Sequence, residues 1–150
     1  MTALLSELEA QDGEKATPAN ENFTTPKGPW DVTIYKHHKE LEALWREMEK
    51  EGHCTVFQAY DWVSCWYDTA SAYGEAEPLI LVVSDESGAP VWILPLCISK
   101  KKGLRTISFA DLGLCDFAAP VMARSAPSGH GPVKAILRAV MKALPSCDVI

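Results

Sequence analysis

The stretch Phe57-Gln58-Ala59-Tyr60-Asp61-Trp62-Val63-Ser64-Cys65-Trp66 decides how this chain is read. It sets two tryptophans and a tyrosine on one short amphipathic segment. Trp62, Trp66, Thr69, Ala70 and Tyr73 recur at i, i+4, i+7, i+8 and i+11, the spacing of one helical face. Aromatic side chains bury large areas, so this face is expected to dock on a sheet. The spacing predicts a helix from about Tyr60 to Tyr73. Asp61 lies in its first turn, where the helix dipole favours a carboxylate, and Gly74 closes it.

Upstream, Val32 to Lys36 alternates apolar and polar side chains as a short strand. Leu41, Leu44, Trp45 and Met48 then mark the inner face of a first helix that ends near Gly52. Downstream the period changes. Leu79 to Val83 is a continuous apolar run of strand length, and Asp85-Glu86-Ser87-Gly88 is a turn. Val91 to Ile98 forms the next strand, and Pro95, which cannot donate to a ladder, predicts an edge or a bulge there. Lys100-Lys101-Lys102-Gly103 turns the chain into a strand from Leu104 to Ala110. A loop follows over Asp111 to Phe117, then a short strand over Ala119 to Met122. Ser128-Gly129-His130-Gly131-Pro132 precedes a helix from about Val133 to Leu144, with Pro132 at its first position. Cys147-Asp148-Val149-Ile150 reads as the opening of a strand, so the chain is expected to be part of a longer protein.

The order is therefore β-α-α-β-β-β-(β)-α-β, without internal repeats. It is expected to make an α+β sandwich on a mostly antiparallel sheet over residues 30–150. Residues 1–29 mix Glu, Thr, Pro, Asn, Gly and Lys with few large apolar side chains after Leu8. They bury too little to offset chain entropy and are expected to be a flexible tail.

Composition narrows the class. Apolar residues make up 47% of the 150, enough for one domain with a core. A net charge of -6 argues against nucleic acid and anionic membrane as partners. No apolar run approaches a membrane span, and the N-terminus lacks the basic region of a signal peptide. The five cysteines form no C-x-x-C pair, which points to a reduced, cytoplasmic setting. Cys65 and Cys97 are expected to act as small apolar residues inside their elements. His37, His38, His53 and Cys54 match no zinc spacing, so no metal is expected and the histidines are expected at the surface. Cys54 and Cys115 lack the orienting third group that nucleophilic chemistry needs, and are expected to be inert thiols.

The element order resembles the GNAT acyltransferase fold, in which two helices follow the first strand and an antiparallel meander comes next. Phe57 to Trp62, then Leu81-Val82-Val83 with Pro90 to Leu96, then Asp116-Phe117 before Pro120, resembles its CelD-type branch. That branch comprises bacterial proteins associated with cellulose and exopolysaccharide synthesis. The similarity runs from about Trp30 to Ile150. It implies the N-terminal half of a tandem GNAT protein, with acyl-CoA as cosubstrate held mainly by a C-terminal half. An amine or hydroxyl acceptor, small molecule or saccharide, would lie between the halves. Ala59 departs from the family's frequent serine; alanine cannot cap a helix, which typically costs about 1 kcal/mol.

Several residues are candidates for that chemistry. Gly129 and Gly131 stand where the GNAT cofactor loop, Gln/Arg-x-x-Gly-x-Gly/Ala, would hold the CoA pyrophosphate on backbone N–H groups. Ala126 replaces its Gln or Arg, and Pro132 removes one N–H. Asp116 is the candidate catalytic residue, positioning an acceptor amine or acting as base. Asp61 and Asp111 are the other acids near turns, and loop capping is the plain role of each. Trp62 and Phe117 are the candidate substrate contacts. Lys100, Lys101, Lys102 and Arg105 either meet a phosphate or acidic polysaccharide, or simply stay solvated and protect a sheet edge. The alternative function is a non-catalytic module that binds a glycan or a protein of a polysaccharide-synthesis complex. Exposed tryptophans would favour that alternative, and buried ones the acyltransferase.

Overall fold

The computed structural model describes residues 29–111 and 113–150, so the tail expected over residues 1–29 lies almost wholly outside them. Strand β1 (Asp31–Tyr35) leads through a 3-10 turn (His38–Leu41) into helix α1 (Glu42–Glu51). A second 3-10 turn (Val56–Gln58) precedes α2 (Tyr60–Ala72). Strands β2 (Glu77–Ser84), β3 (Pro90–Lys101), β4 (Leu104–Phe109) and β5 (Val121–Met122) follow, then α3 (His130–Ala143). The fold is α+β: β1, β2, β3 and β4 lie side by side in that order, every pair antiparallel.

Register explains the apolar runs. Val32 stands opposite Val83, Leu81 opposite Leu94, and Leu79 opposite Leu96. Side chains alternate across a strand, so these residues face one side with Ile107 while Ile80, Val82, Ile93 and Cys97 face the other. The sheet is buried on both faces. Helices α1 and α2 cover one with Trp45, Met48, Tyr60, Val63 and Tyr67, and α3 covers the other with Ile136 and Val140.

The turns follow local chemistry. Lys102 (φ 53) and Gly103 (φ 82) join Lys101 and Leu104 as a two-residue hairpin with both central residues at positive φ, as a type I′ turn requires. In the Asp85 turn the carboxylate accepts the N–H groups of Ser87 and Ala89 at 2.8 and 3.0 Å. That holds Asp85 below the usual carboxylate range, with the Ser87 side chain contributing most. The missing cap at Ala59 is supplied from elsewhere: the Glu49 carboxylate on α1 accepts the Tyr60 N–H.

Five expectations need correction. The face of α2 that docks is Tyr60, Val63, Tyr67 and Ala70, not that of Trp62, Trp66 and Tyr73. Trp62 is 42% exposed and Tyr73 78%, while Trp66 is half-buried. Both stripes have helical period; the tyrosine stripe wins because the Tyr67 hydroxyl donates to the Leu96 carbonyl at 2.7 Å and Tyr60 packs edge-on to Trp45. Cys65 is on the outward face and exposed. Pro95 marks neither an edge nor a bulge: β3 is central and its register with β2 runs unbroken through Ile80 and Pro95. The Pro95 carbonyl points toward β4, accepting the Ala110 N–H at 2.9 Å. A residue's N and O point the same way in a strand, so the missing N–H falls where β4 has ended. Pro132 is third in α3, after His130 and Gly131, where the N–H it lacks would still have no intrahelical partner. Finally, His38 is no surface residue, being only 6% exposed and stacked 5.5 Å from the Tyr67 ring.

The segment after α3, expected to open a strand, makes a single parallel bridge to β4. Val149 bridges Thr106 in parallel, and its carbonyl accepts the Ile107 N–H at 3.0 Å. Among the described residues no helix is long and apolar enough to cross a membrane.

Candidate functional site

The fourth position of the sheet is one strand broken in two. β4 pairs with β3 from Lys101 to Leu96, and β5 resumes against Ile93 and Trp92 in the same direction. Between Ala110, bonded to Pro95, and Val121, opposite Ile93, the chain leaves the sheet and returns. Loops that depart and return at nearly one point are often functional. This one is fastened at both ends. His53 brackets β5 from outside, exchanging backbone bonds with Met122 at 2.7 and 2.9 Å.

Gln58 fastens its middle. The side chain is 3% exposed; its Nε2 donates to the Phe117 carbonyl at 2.8 Å and its Oε1 accepts the Thr55 hydroxyl. Its own carbonyl accepts the Trp45 indole N–H at 2.9 Å. One buried residue thus ties α1, the turn ahead of α2 and the loop together. Sequence reasoning quoted Gln58 without assigning it a role; the signal was an amide amid an aromatic run, which must find partners once buried.

The result brings Trp62, Asp116 and Phe117 to one end of α2. Phe117 is 67% exposed, and Trp62 stands edge-on to Phe57 at 6.1 Å between ring centres. The Trp62 side chain also lies against the Cys115 thiol. Burial pushes that thiol up; the Asp111 and Asp116 charges push the same way, and Trp62 offsets part of the rise. Cys54 is pushed up to about 11 by burial. Neither thiol is poised to attack. Asp116 is exposed on the loop, whereas Asp111 caps a turn by accepting the Gly113 N–H at 2.8 Å. Asp61 takes the Arg46 guanidinium at 2.6 Å, and Glu42 takes it at 2.9 Å. Hydrogen bonding to Arg46 is the main reason that Asp61 lies below the usual carboxylate range. Arg46 in turn covers the Tyr60 ring at 4.7 Å.

Gly129 and Gly131 belong elsewhere, at the start of the helix that covers the opposite face. Gly129 is the N-cap with φ 93, a backbone shape that glycine adopts readily. Both glycines are exposed, and a Cβ on either would meet nothing within 4 Å. The candidate acceptor residues and the candidate cofactor loop do not form one site within the described residues. There is also no group of three His, Cys, Asp or Glu side chains among them that could hold a metal ion.

The surface at the α2 end therefore offers aromatic faces beside carboxylates. Such a pairing suits a polyhydroxylated ring: its C–H bonds rest on the negative π face, and its hydroxyls donate to carboxylates. Compared with models of known families, with curated proteins and with solved structures, the chain matches none.

Proposed function

We propose that this chain is a GNAT-like half of an acyltransferase of the CelD type, passing an acyl group from acyl-CoA to a saccharide hydroxyl or amine. The observation that carries the reading is the order of elements: two helices between the first strand and an antiparallel meander, then a crossover helix to a parallel partner of β4. In this reading the acceptor rests on Trp62 and Phe117, with Asp116 at hand as base, and a C-terminal half holds most of the acyl-CoA. The acceptor's lone pair attacks the thioester carbonyl, its proton passes to the base, and the thiolate leaves. No enzyme thiol takes part, in keeping with the raised Cys54 and Cys115.

The exposure of Trp62 favours a second reading, a glycan-binding module without catalysis. One experiment separates them. The protein in its full natural length is incubated with radiolabelled acetyl-CoA and oligosaccharide acceptors. Transfer of label to the sugar, lost in Asp116→Asn, supports the first reading. Saturable quenching of tryptophan fluorescence by the sugar, without transfer, supports the second, and neither signal would sink both.

A further inference from the structure

On the α3 face the helix stops before the sheet does. α3 ends at Ala143 and Pro145 follows, so the ends of β1 to β4 on that side lack a helical cover. There Ile34, Leu79 and Ile98 floor an open groove of about 870 Å³, walled by Ala143, Leu144 and Pro145. Its rim is basic, with Lys36, His37, Arg105 and Lys142. Lys100 stands directly across the ladder from Arg105, and the two line the recess that adjoins the groove at the sheet end.

Two observations distinguish this place from a solvated turn. Like charges directly opposed across a ladder destabilise it, yet no carboxylate among the described residues lies within 4.0 Å to pair with Lys36, Lys100, Arg105 or Lys142. The acids nearby are Glu77, on the rim, Glu75, in the adjoining recess, and Asp148, whose carboxylate accepts the Arg105 backbone N–H at 2.7 Å. In a chain of net charge -6, four cations without an ion pair converge here, from β3, β4, the end of β1 and the end of α3. Lys142 alone would be accounted for by the α3 dipole; the cations on β3, β4 and the end of β1 would not. The second observation is the apolar floor, which a bare inorganic anion would leave unused.

We infer that this groove binds an aliphatic phosphate monoester. Arg105, with Lys100 beside it, forks onto the phosphate oxygens, as guanidinium groups do. Lys36 and Lys142 raise the potential along the groove, and the alkyl body lies on Ile34, Leu79 and Ile98. The inference is independent of the acyl-transfer reading, since the groove lies on the opposite face from Trp62 and Phe117.

Calorimetric titration of the full chain tests it, with octyl phosphate below its micelle concentration, inorganic phosphate and octyl glucoside as probes. Burying even a few methylenes is worth about ten-fold in affinity. Octyl phosphate should therefore bind at least about ten-fold more tightly than either control. The double substitution Lys100→Gln with Arg105→Gln should weaken it by about ten-fold or more, while the unfolding midpoint without ligand stays or rises. Should that variant fail to fold, Lys36→Gln with Lys142→Gln, both on exposed stems, should weaken binding several-fold. Absence of saturable binding, equal affinity for the three probes, or binding indifferent to both pairs of substitutions would overturn the proposal. Phosphatidylcholine vesicles with and without phosphatidate then identify the source. Retention by phosphatidate vesicles assigns a lipid headgroup, and octyl phosphate binding without retention assigns a free molecule.

Discussion

On the α1/α2 face of the sheet, Trp45 and Tyr67 pack with their polar tips bonded, to the Gln58 and Leu96 carbonyls at 2.9 and 2.7 Å. On the α3 face the packing is aliphatic, from Val32, Leu81, Ile136 and Val140, and the buried Trp92 indole N–H has no partner among the described residues. Burial drives both faces, at about 25 cal/mol per Å² of apolar surface. Only the first adds directional bonds, which fix where α1, α2 and the loop over residues 111–120 sit relative to one another. The difference teaches where the fold demands position and where it demands only bulk. A loop that carries function needs the former.

The hardest test of the contrast uses two glycines. Gly52 ends α1 where β5 crosses it, and a Cβ there would lie 2.1 Å from the Met122 carbonyl oxygen and 2.8 Å from that of Met48. Both obstacles are backbone, so Gly52→Ala should cost about 3 kcal/mol, the upper range of overpacking. Gly131, in the first turn of α3, faces open space, and Gly131→Ala should be neutral or stabilise by up to about 1 kcal/mol. Urea unfolding of the two variants measures both; similar losses would mean that the close approach at Gly52 is not rigid.

The two buried tryptophans give the next largest effect. Trp45→Phe leaves the Gln58 carbonyl without its donor as well as a smaller ring in a fully buried site, and should cost about 2–3 kcal/mol. Trp92→Phe leaves a similar gap but also removes an orphaned donor, so its cost should fall below about 1 kcal/mol. Equal losses would show that bonding does not distinguish the faces.

Why this contrast was only half legible in the sequence can be seen in α2. The helix, its length and its need to dock were written in the period of its apolar residues. Which stripe docks was not, because Tyr60, Val63, Tyr67 and Ala70 repeat with the same period as the tryptophans. The choice was made by the Leu96 carbonyl, a partner 29 residues away. The strands were legible for a different reason: short apolar runs between Lys-Gly and Ser-Gly turns leave little freedom of pairing. The join of β4 and β5 across the loop was not, since it depends on Pro95 having no N–H to offer at the break. At the candidate site, Trp62, Asp116 and Phe117 were named from the chain, but what gathers them, Gln58, shows only through its buried bonds.

Gln58 provides a test of intermediate size. Gln58→Leu keeps the volume and leaves the Phe117 carbonyl and Thr55 hydroxyl unpartnered, both only partly buried, so about 1–2 kcal/mol should be lost. Hydrogen exchange should show protection falling over residues 113–118 while that of α3 is unchanged. A uniform loss across both faces would mean that Gln58 supports the whole core and not the loop in particular.

The smallest expected effect is a pH dependence confined to the α1/α2 side. His38 is buried there with its Nε2 unbonded, 3.6 Å from the Asp68 carboxylate. Desolvation lowers its pKa below the ordinary 6.5; Asp68 pulls it back, Lys39 and His37 push it further down, and Glu42 raises it slightly. Between the folded pKa and 6.5 the unfolded chain holds a proton that the folded chain does not, so stability rises with pH in that window. The contribution is complete above about 6.5 and is lost as pH falls through the folded pKa. Urea midpoints should therefore drop from neutral to mildly acidic pH, and His38→Phe, which keeps a ring against Tyr67, should flatten that drop. Asp68→Asn sharpens the point. Removing the attraction lowers the His38 pKa further, so the acid loss should deepen, reaching to lower pH. A shallower loss in Asp68→Asn would instead mean that the protonated imidazole gains nothing from Asp68, and that the acid sensitivity of this face arises elsewhere.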